Sequence, residues 1–460
     1  MGRSAGPLKV RNQPLYNQAT IYRGLAANMA QNHSKHRWNT LALLRLGAFG
    51  FGVTGFFMAM DTIILPTLVL EVVPEGAKNS LLGALGLSGL VVAALVQPTL
   101  GWYSDRTRSP LGRRVPYMLW GCIFACLGLL GLGLVSTYLS LLALWIFIQA
   151  NISVGYGPFQ ALIRDLVPLE KIGIASSLKI LADGAGGVVL IAISGALIGQ
   201  RSGPESVQWL WITLAVLAFT LFVTSLISSY IVLQRQERDA GTNRNLIPDL
   251  RPSRRLHPQL GWFVASRYLM ITAIFVFPTY GLFFLRDAVG VSNPAQTLGL
   301  MILSIGGALV LSVYPAGWLS DKIGRKPVVV AGAMGAAIGS ITILSANSPT
   351  EVVIVASIIG ASVGVILSAN WALANELGTE GREGQHMGIV NLATIGGAAS
   401  AKVLGPGVDL LNLASPGLGY DGLLIGCGVA FLLGALLMTP IKSQPQVSYS
   451  PEDSRSEATP

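Results

Sequence analysis

The chain is predicted to be an all-α integral membrane protein of twelve transmembrane helices in two parallel six-helix repeats. Three observations carry this. Hydrophobic residues make up 52% of the 460 positions and charged residues 12%, whereas an ordinary soluble domain has about 25% charged. Uninterrupted apolar runs recur at about twenty residues, the length that crosses a bilayer core of about 30 Å at 1.5 Å per residue. Finally, a polar phrase that follows one such run, "GWYSDRTRSPLGRR" at 101–114, returns after another as "GWLSDKIGRK" at 317–326.

Residues 1–40 are polar, without the apolar core or small-residue cleavage site of a signal peptide, and are expected to form a cytoplasmic tail. Apolar runs bounded by polar or Gly/Pro breaks then place helices at 42–68, 80–100, 116–136, 139–163, 174–199 and 208–233. A second set follows at 262–285, 296–316, 327–346, 350–375, 387–408 and 419–440. The runs do not alternate with period two, and lipid tolerates no open sheet edge, so barrel strands are excluded. The domains are therefore 1–40 (tail), 41–233 (first bundle), 234–260 (polar cytoplasmic linker), 261–440 (second bundle) and 441–460 (a tail without apolar periodicity, expected to be disordered).

The cations test this layout. Lys78, Arg201 and Arg286 are the Lys and Arg in odd-numbered loops, and Arg45, Lys179 and Lys402 lie within spans. The remainder of the 31 occupy the termini and the even-numbered connections, counting the seven at 234–267 with the linker side, so the positive-inside rule puts both termini in the cytoplasm. This distribution also accounts for the net charge of +9 without a nucleic-acid partner. Cys122, Cys126 and Cys427 sit inside apolar runs without further metal ligands nearby and are expected to pack as small hydrophobes.

The repeat extends beyond one phrase. Asp105 and Asp321 both follow Gly-Trp-x-Ser. "ALIRDLVP" from Ala161 matches "ALANELGT" from Ala372, and "GIASSLKILADGAGG" from Gly173 matches "GIVNLATIGGAAS" from Gly388. The order is the same in both halves. Parallel repeats of this kind place a binding site between the halves near the bilayer midplane. The doubled phrase resembles the G-x-x-x-D-R-x-G-R-R motif of the major facilitator superfamily. "SDRTRSPLGRRVPY", "ALIRDLVPLEKIGIAS" and "SRYLMITAIFVFPTYGLFFLRDAVG" are similar to the glycoside-pentoside-hexuronide:cation symporters and the sucrose transporters.

That resemblance implies a conformational latch. The motif Asp of each half, Asp105 and Asp321, would face the start of helix 11 and of helix 5, where exposed N–H groups and the helix dipole favour a carboxylate. Arg113 would pair with Asp165, and Arg325 with Glu376. Arg106 and Arg114 complete the first motif. A plain topological role explains the cations alone, but not an Asp at the same offset in both halves.

Ionisable groups at membrane depth cost at least about 2.5 kcal/mol on insertion scales and suggest function. Asp61, Lys179, Asp183 and Lys402 are the candidates, while Arg45 can snorkel to the interface. Lys179 and Asp183, four apart, can neutralise each other. Desolvation of Asp61 or Asp183 would suit reversible protonation, and Lys402 could bind an anionic group or pair with a carboxylate in the empty state. Gln149, Asn151, Tyr280, Asn370 and Trp371 supply amides beside aromatic rings, which suits a sugar and also a lipophilic drug. Helix packing is the competing role for each.

The expected function is a secondary transporter that moves a small-molecule substrate by alternating access: cation-coupled symport of a sugar or glycoside, or else proton-coupled efflux of drugs or other metabolites. It needs no cofactor beyond a coupling ion, H+ or Na+. Known cation-coupled relatives carry helix 2 carboxylates and residues 81–100 contain none, so the ion stays open. An enzyme is not expected, because no span supplies clustered acids or a nucleophile with its base. The protein should act as a monomer in the lipid of the cell membrane.

Overall fold

The computed structural model describes residues 38–168, 171–201, 206–236, 258–346, 348–377 and 383–441. The N-terminal tail through residue 37, the linker segment 237–257 and the tail from 442 lie outside the described residues. Among the described residues, twelve helices are long and apolar enough to cross a membrane, because helices satisfy every backbone polar group within their own segment. In the first half these are α1 (Thr40–Val72), α2 (Glu75–Arg106), α3 (Val115–Leu132), α4 (Tyr138–Gln160), α5 (Ile172–Ile198) and α6 (Val207–Arg235). In the second they are α7 (Gln259–Asp287), α8 (Pro294–Ile323), α9 (Arg325–Ser345), α10 (Pro349–Ala374), α11 (Gly388–Ala414) and α12 (Leu418–Leu437).

Several helices outrun their apolar cores. Both copies of the Gly-Trp-x-Ser-Asp phrase are the last turns of α2 and α8, not loops. There the Ser104 and Ser320 hydroxyls fold back onto the carbonyls of Gly101 and Gly317, and Arg106 stacks 3.6 Å over the Trp102 ring. α11 continues past 408 through a break at Leu404 into Gly405–Ala414, which brings Asp409 into the helix. Arg267, counted above with the even-side cations although it falls within the span expected at 262–285, lies inside α7 and is buried. In α1 a π-helical turn, Met60–Ile64, carries Asp61. Pro66 supplies the cause, since it cannot donate to the Thr62 carbonyl and its ring crowds that group.

The two halves repeat one packing scheme. α1 packs on α5 and α6, α2 on α4, and α3 on α4 and α6; correspondingly α7 packs on α11 and α12, α8 on α10, and α9 on α10 and α12. Small residues allow the closest approaches. A Cβ on Gly186 of α5 would lie 2.1 Å from the Phe51 carbonyl oxygen of α1.

The halves meet through α2 with α11, α5 with α8, and α1 with α7. These contacts lie toward the face that bears the α1–α2, α5–α6, α7–α8 and α11–α12 connections, here called the odd face. Gly195 abuts Ala295 and Gly299, and Gly405 abuts Asn79. Toward the opposite, even face, Ile180, Leu181, Leu311 and Tyr314 of α5 and α8 are exposed, and Gly184 and Gly307 have no neighbour within 4 Å of a built Cβ. Gly186→Val should drive α1 and α5 apart and cost about 1–3 kcal/mol, read as a lower thermal-unfolding midpoint of the purified protein. Gly184→Ala should leave that midpoint unchanged.

Candidate functional site

The motif residues form a brace within each half. Asp165 of the short helix Leu162–Leu166 receives Arg113 Nη2 and Arg114 Nε, each at 3.0 Å. Arg114, almost wholly buried, also reaches Asp105 Oδ1 at 2.6 Å and Ser104 Oγ at 2.5 Å. The end of α2, the start of α3 and the end of α4 are tied together by this one guanidinium. In the second half Arg325 Nη1 lies 3.0 Å from Glu376 Oε2 and donates to the Ala372 carbonyl at 2.6 Å. Asp105 is therefore engaged by its own half rather than by the start of α11. Asp321 is exposed, with no ion pair among the described residues. The halves are apart on this face, which removes the partners the resemblance implied.

On the odd face the halves are joined by charge. Asp409 of α11 accepts from the Asn79 and Ser80 backbone N–H groups at 3.3 and 2.7 Å, from Asn79 Nδ2 at 2.8 Å and from Ser80 Oγ at 2.5 Å. A carboxylate thus satisfies the first turn of α2, where free N–H groups and the dipole favour it. Beside it, Lys78 Nζ lies 2.6 Å from Glu75 and 2.5 Å from Asp287. Arg286 donates to Glu75 at 2.7 Å, and Tyr420 donates to Asp287 at 2.7 Å. Asp409 was missed because the expected helix 11 stopped at 408, one residue short of it, whereas the helix runs on to Ala414. A usable signal for Glu75 and Asp287 was present, since Lys78 and Arg286 are two of the few odd-loop cations and call for acids nearby.

Between the halves at membrane depth, Lys402 Nζ of α11 lies 2.8 Å from Asp61 Oδ2 of α1. The lysine is buried and the carboxylate is partly open, at 35% side-chain exposure. Gly86 of α2 makes room for the lysine chain, since a Cβ there would come within 2.5 Å of Nζ. Tyr280 of α7 donates its hydroxyl to the Lys402 carbonyl at 3.0 Å. Three of the residues singled out from the sequence, Asp61, Tyr280 and Lys402, are thereby brought together on three helices.

The others lie elsewhere. Lys179 and Asp183 form their own pair at 2.6 Å along α5. Lys179 Nζ sits 5.7 and 5.5 Å from the Tyr156 and Phe159 ring centroids, and Gly50 of α1 makes room for Asp183. Gln149 is buried with Oε1 unpartnered, while Asn151 donates to its own helix at the Phe147 carbonyl. Asn370 and Trp371 of α10 meet Arg267 of α7. Arg267 Nη1 donates to Asn370 Oδ1, Nε donates to Thr394 Oγ1 at 3.1 Å, and the guanidinium stands 4.6 Å from the Trp371 centroid.

Comparison with known proteins places this arrangement. The family described as MFS/sugar transport protein matches residues 46–417. Sucrose transport protein SUT3 of Oryza sativa subsp. indica is 39% identical over 61 residues, 13% of this chain and 12% of that protein. The match therefore spans only a small part of the plant transporter's length. Multidrug resistance protein MdtG of Escherichia coli O6:K15:H31 (strain 536 / UPEC) is 24% identical over 346 residues, 74% of this chain and 80% of that one. Among solved structures, a D-xylose-proton symporter superposes with a TM-score of 0.65 at 19% identity, covering 87% of this chain and 97% of its own. A bacterial homologue of the iron transporter ferroportin gives 0.66 at 15%, covering 87% and 99%. At these identities the structures speak to the fold alone.

Removal of either partner of the central pair strands the other at membrane depth. Asp61→Asn and Lys402→Met should each lower the unfolding midpoint, and the double variant should lose less than their sum, with a coupling of about 0.5–3 kcal/mol. Additive losses in a double-mutant cycle would show that the two side chains do not depend on each other.

Proposed function

The chain belongs to the MFS/sugar transport protein family, and from that premise we propose that it carries a sugar or glycoside across the membrane by cation-coupled alternating access. That it is a multi-pass membrane transporter and not an enzyme follows from the family itself. The observation that carries the finer reading is the Asp61–Lys402 pair. It joins the halves at depth, and its carboxylate is partly open to whatever enters. A proton or Na+ arriving at Asp61 releases the ammonium, and a solute hydroxyl or anion can then take the place of the carboxylate. Coupling arises because neither charge is stable alone in that environment. Either ion satisfies this scheme.

With the positive-inside orientation, the even face is cytoplasmic and the odd face external. The charged network around Asp409, Lys78 and Asp287 then acts as an outer gate, closed here. Asp105 and Asp321 act as the inner latch when the even face closes, exchanging the Asp105–Arg114 contact for the start of α11. Each half carries its own brace, so a monomer suffices, surrounded by lipid. Lys179 with Asp183 is a second candidate for ion coupling, and Gln149 for hydroxyl recognition. Proton-coupled efflux is the other reading, favoured by the likeness to MdtG over 74% of the chain.

Uptake into proteoliposomes of a panel of neutral and acidic sugars and glycosides, with imposed sodium or proton gradients, tests the proposal. Gradient-driven accumulation of at least one sugar is expected, lost in Asp61→Asn. Export of a lipophilic cation, with no sugar moved under any gradient, would establish the efflux reading instead.

A further inference from the structure

Arg267 is a buried cation that meets no anion among the described residues. It is 2% exposed, and no Asp or Glu among the described residues forms an ion pair with it. Its contacts are neutral: Thr394 Oγ1, Asn370 Oδ1 and the Trp371 ring. Asn370 is equally buried, at 2% exposure, and its Nδ2 has no partner. The guanidinium offers only donors, so the amide oxygen must face it and the amide N–H₂ is left over. The guanidinium therefore has neutral acceptors only, and the amide N–H₂ beside it has none among the described residues. A buried cation ordinarily has an anion, and a buried donor an acceptor.

The repeat sharpens the contrast. Counted from Gly173 and Gly388, which open the matched phrases, Thr394 holds the register of Lys179 and Ala398 that of Asp183. Counted from Ala161 and Ala372, Asn370 and Trp371 hold the registers of Phe159 and Gln160. Each half thus sets one cation among α4 or α10 and α5 or α11. In the first half the cation, Lys179, brings its own carboxylate at 2.6 Å. In the second, an alanine stands where that carboxylate would be.

We propose that Arg267, the amide N–H₂ of Asn370 and the face of Trp371 form a subsite for an anionic group, a carboxylate or a phosphate, on the transported solute. Trp371 is 39% exposed and gives the rest of the solute a ring to stack on, while the anion receives a charge-assisted pair of donors. This rests on the transporter reading and narrows it to solutes that bear negative charge.

The test is thermal unfolding of the full chain in lipid nanodiscs, titrated with glucuronate, glucose 6-phosphate and glucose, with counterflow of the same three solutes measured in proteoliposomes. At least one anion should raise the midpoint saturably, at a concentration about tenfold or more below that needed for glucose. Arg267→Gln should abolish this response. Asn370→Asp keeps the volume and supplies an internal carboxylate, as the first half does, so it should fold as stably as the native chain yet lose the anion response. No saturable response to either anion, or a native response in Asn370→Asp, overturns the subsite. Counterflow of glucose with both anions inert overturns it while leaving the transporter reading standing. Saturable anion binding without counterflow of any of the three upholds the subsite and counts against these sugars as the cargo.

Discussion

A charge carried to the middle of a bilayer needs an opposite charge beside it, and Lys402 meets that need across the boundary between two halves of the molecule. Much of the arrangement follows. The lysine chain needs a groove, which Gly83 and Gly86 of α2 provide. The carboxylate must be turned toward it, and the π-helical turn that carries Asp61 shifts the register of α1 at that point. The contact is strong only while α1 and α11 are close. On the proposed mechanism, a movement that parts the halves supplies either charge with a substitute from solution, the cargo or the coupling ion.

The same electrostatic logic operates at the odd face. A carboxylate at a helix N-terminus serves as a clasp between Asp409 of α11 and the first turn of α2. This is the chemistry that the repeated Gly-Trp-x-Ser-Asp phrase implies for the other face. Only one of the two can be engaged at a time if the halves rock as rigid units. In this structure Asp105 rests on Arg114, so its carboxylate has a donor without the start of α11.

The sequence disclosed the architecture well because lipid imposes a rule with few solutions. Span number, the two-fold repeat and the exclusion of strands could all be read from apolar length and one duplicated phrase. It disclosed the ends of helices poorly. Hydropathy marks where the apolar part stops, yet α2, α8 and α11 run on as helix beyond it. That overrun concealed Asp409 and put the motif Asp residues in loops. Arg267 was missed for another reason: it follows the run of linker cations and was counted with them, whereas it lies two turns into α7 and is buried. Asp61, Tyr280 and Lys402 were legible singly. Their convergence was not, since nothing in one chain says which residues of α1, α7 and α11 share a depth.

The central claim is that the inter-half charge contacts set which face is open. Distances by double electron–electron resonance test it directly, with spin labels at Gly76 and Leu413 on the odd face, and at Thr99 and Leu392 toward the even face. In Asp409→Ala the Gly76–Leu413 distance should lengthen and the Thr99–Leu392 distance should shorten in the same molecules, as two faces of one rocking body. Lengthening on the odd face with no change on the even face, or no change on either, would contradict it.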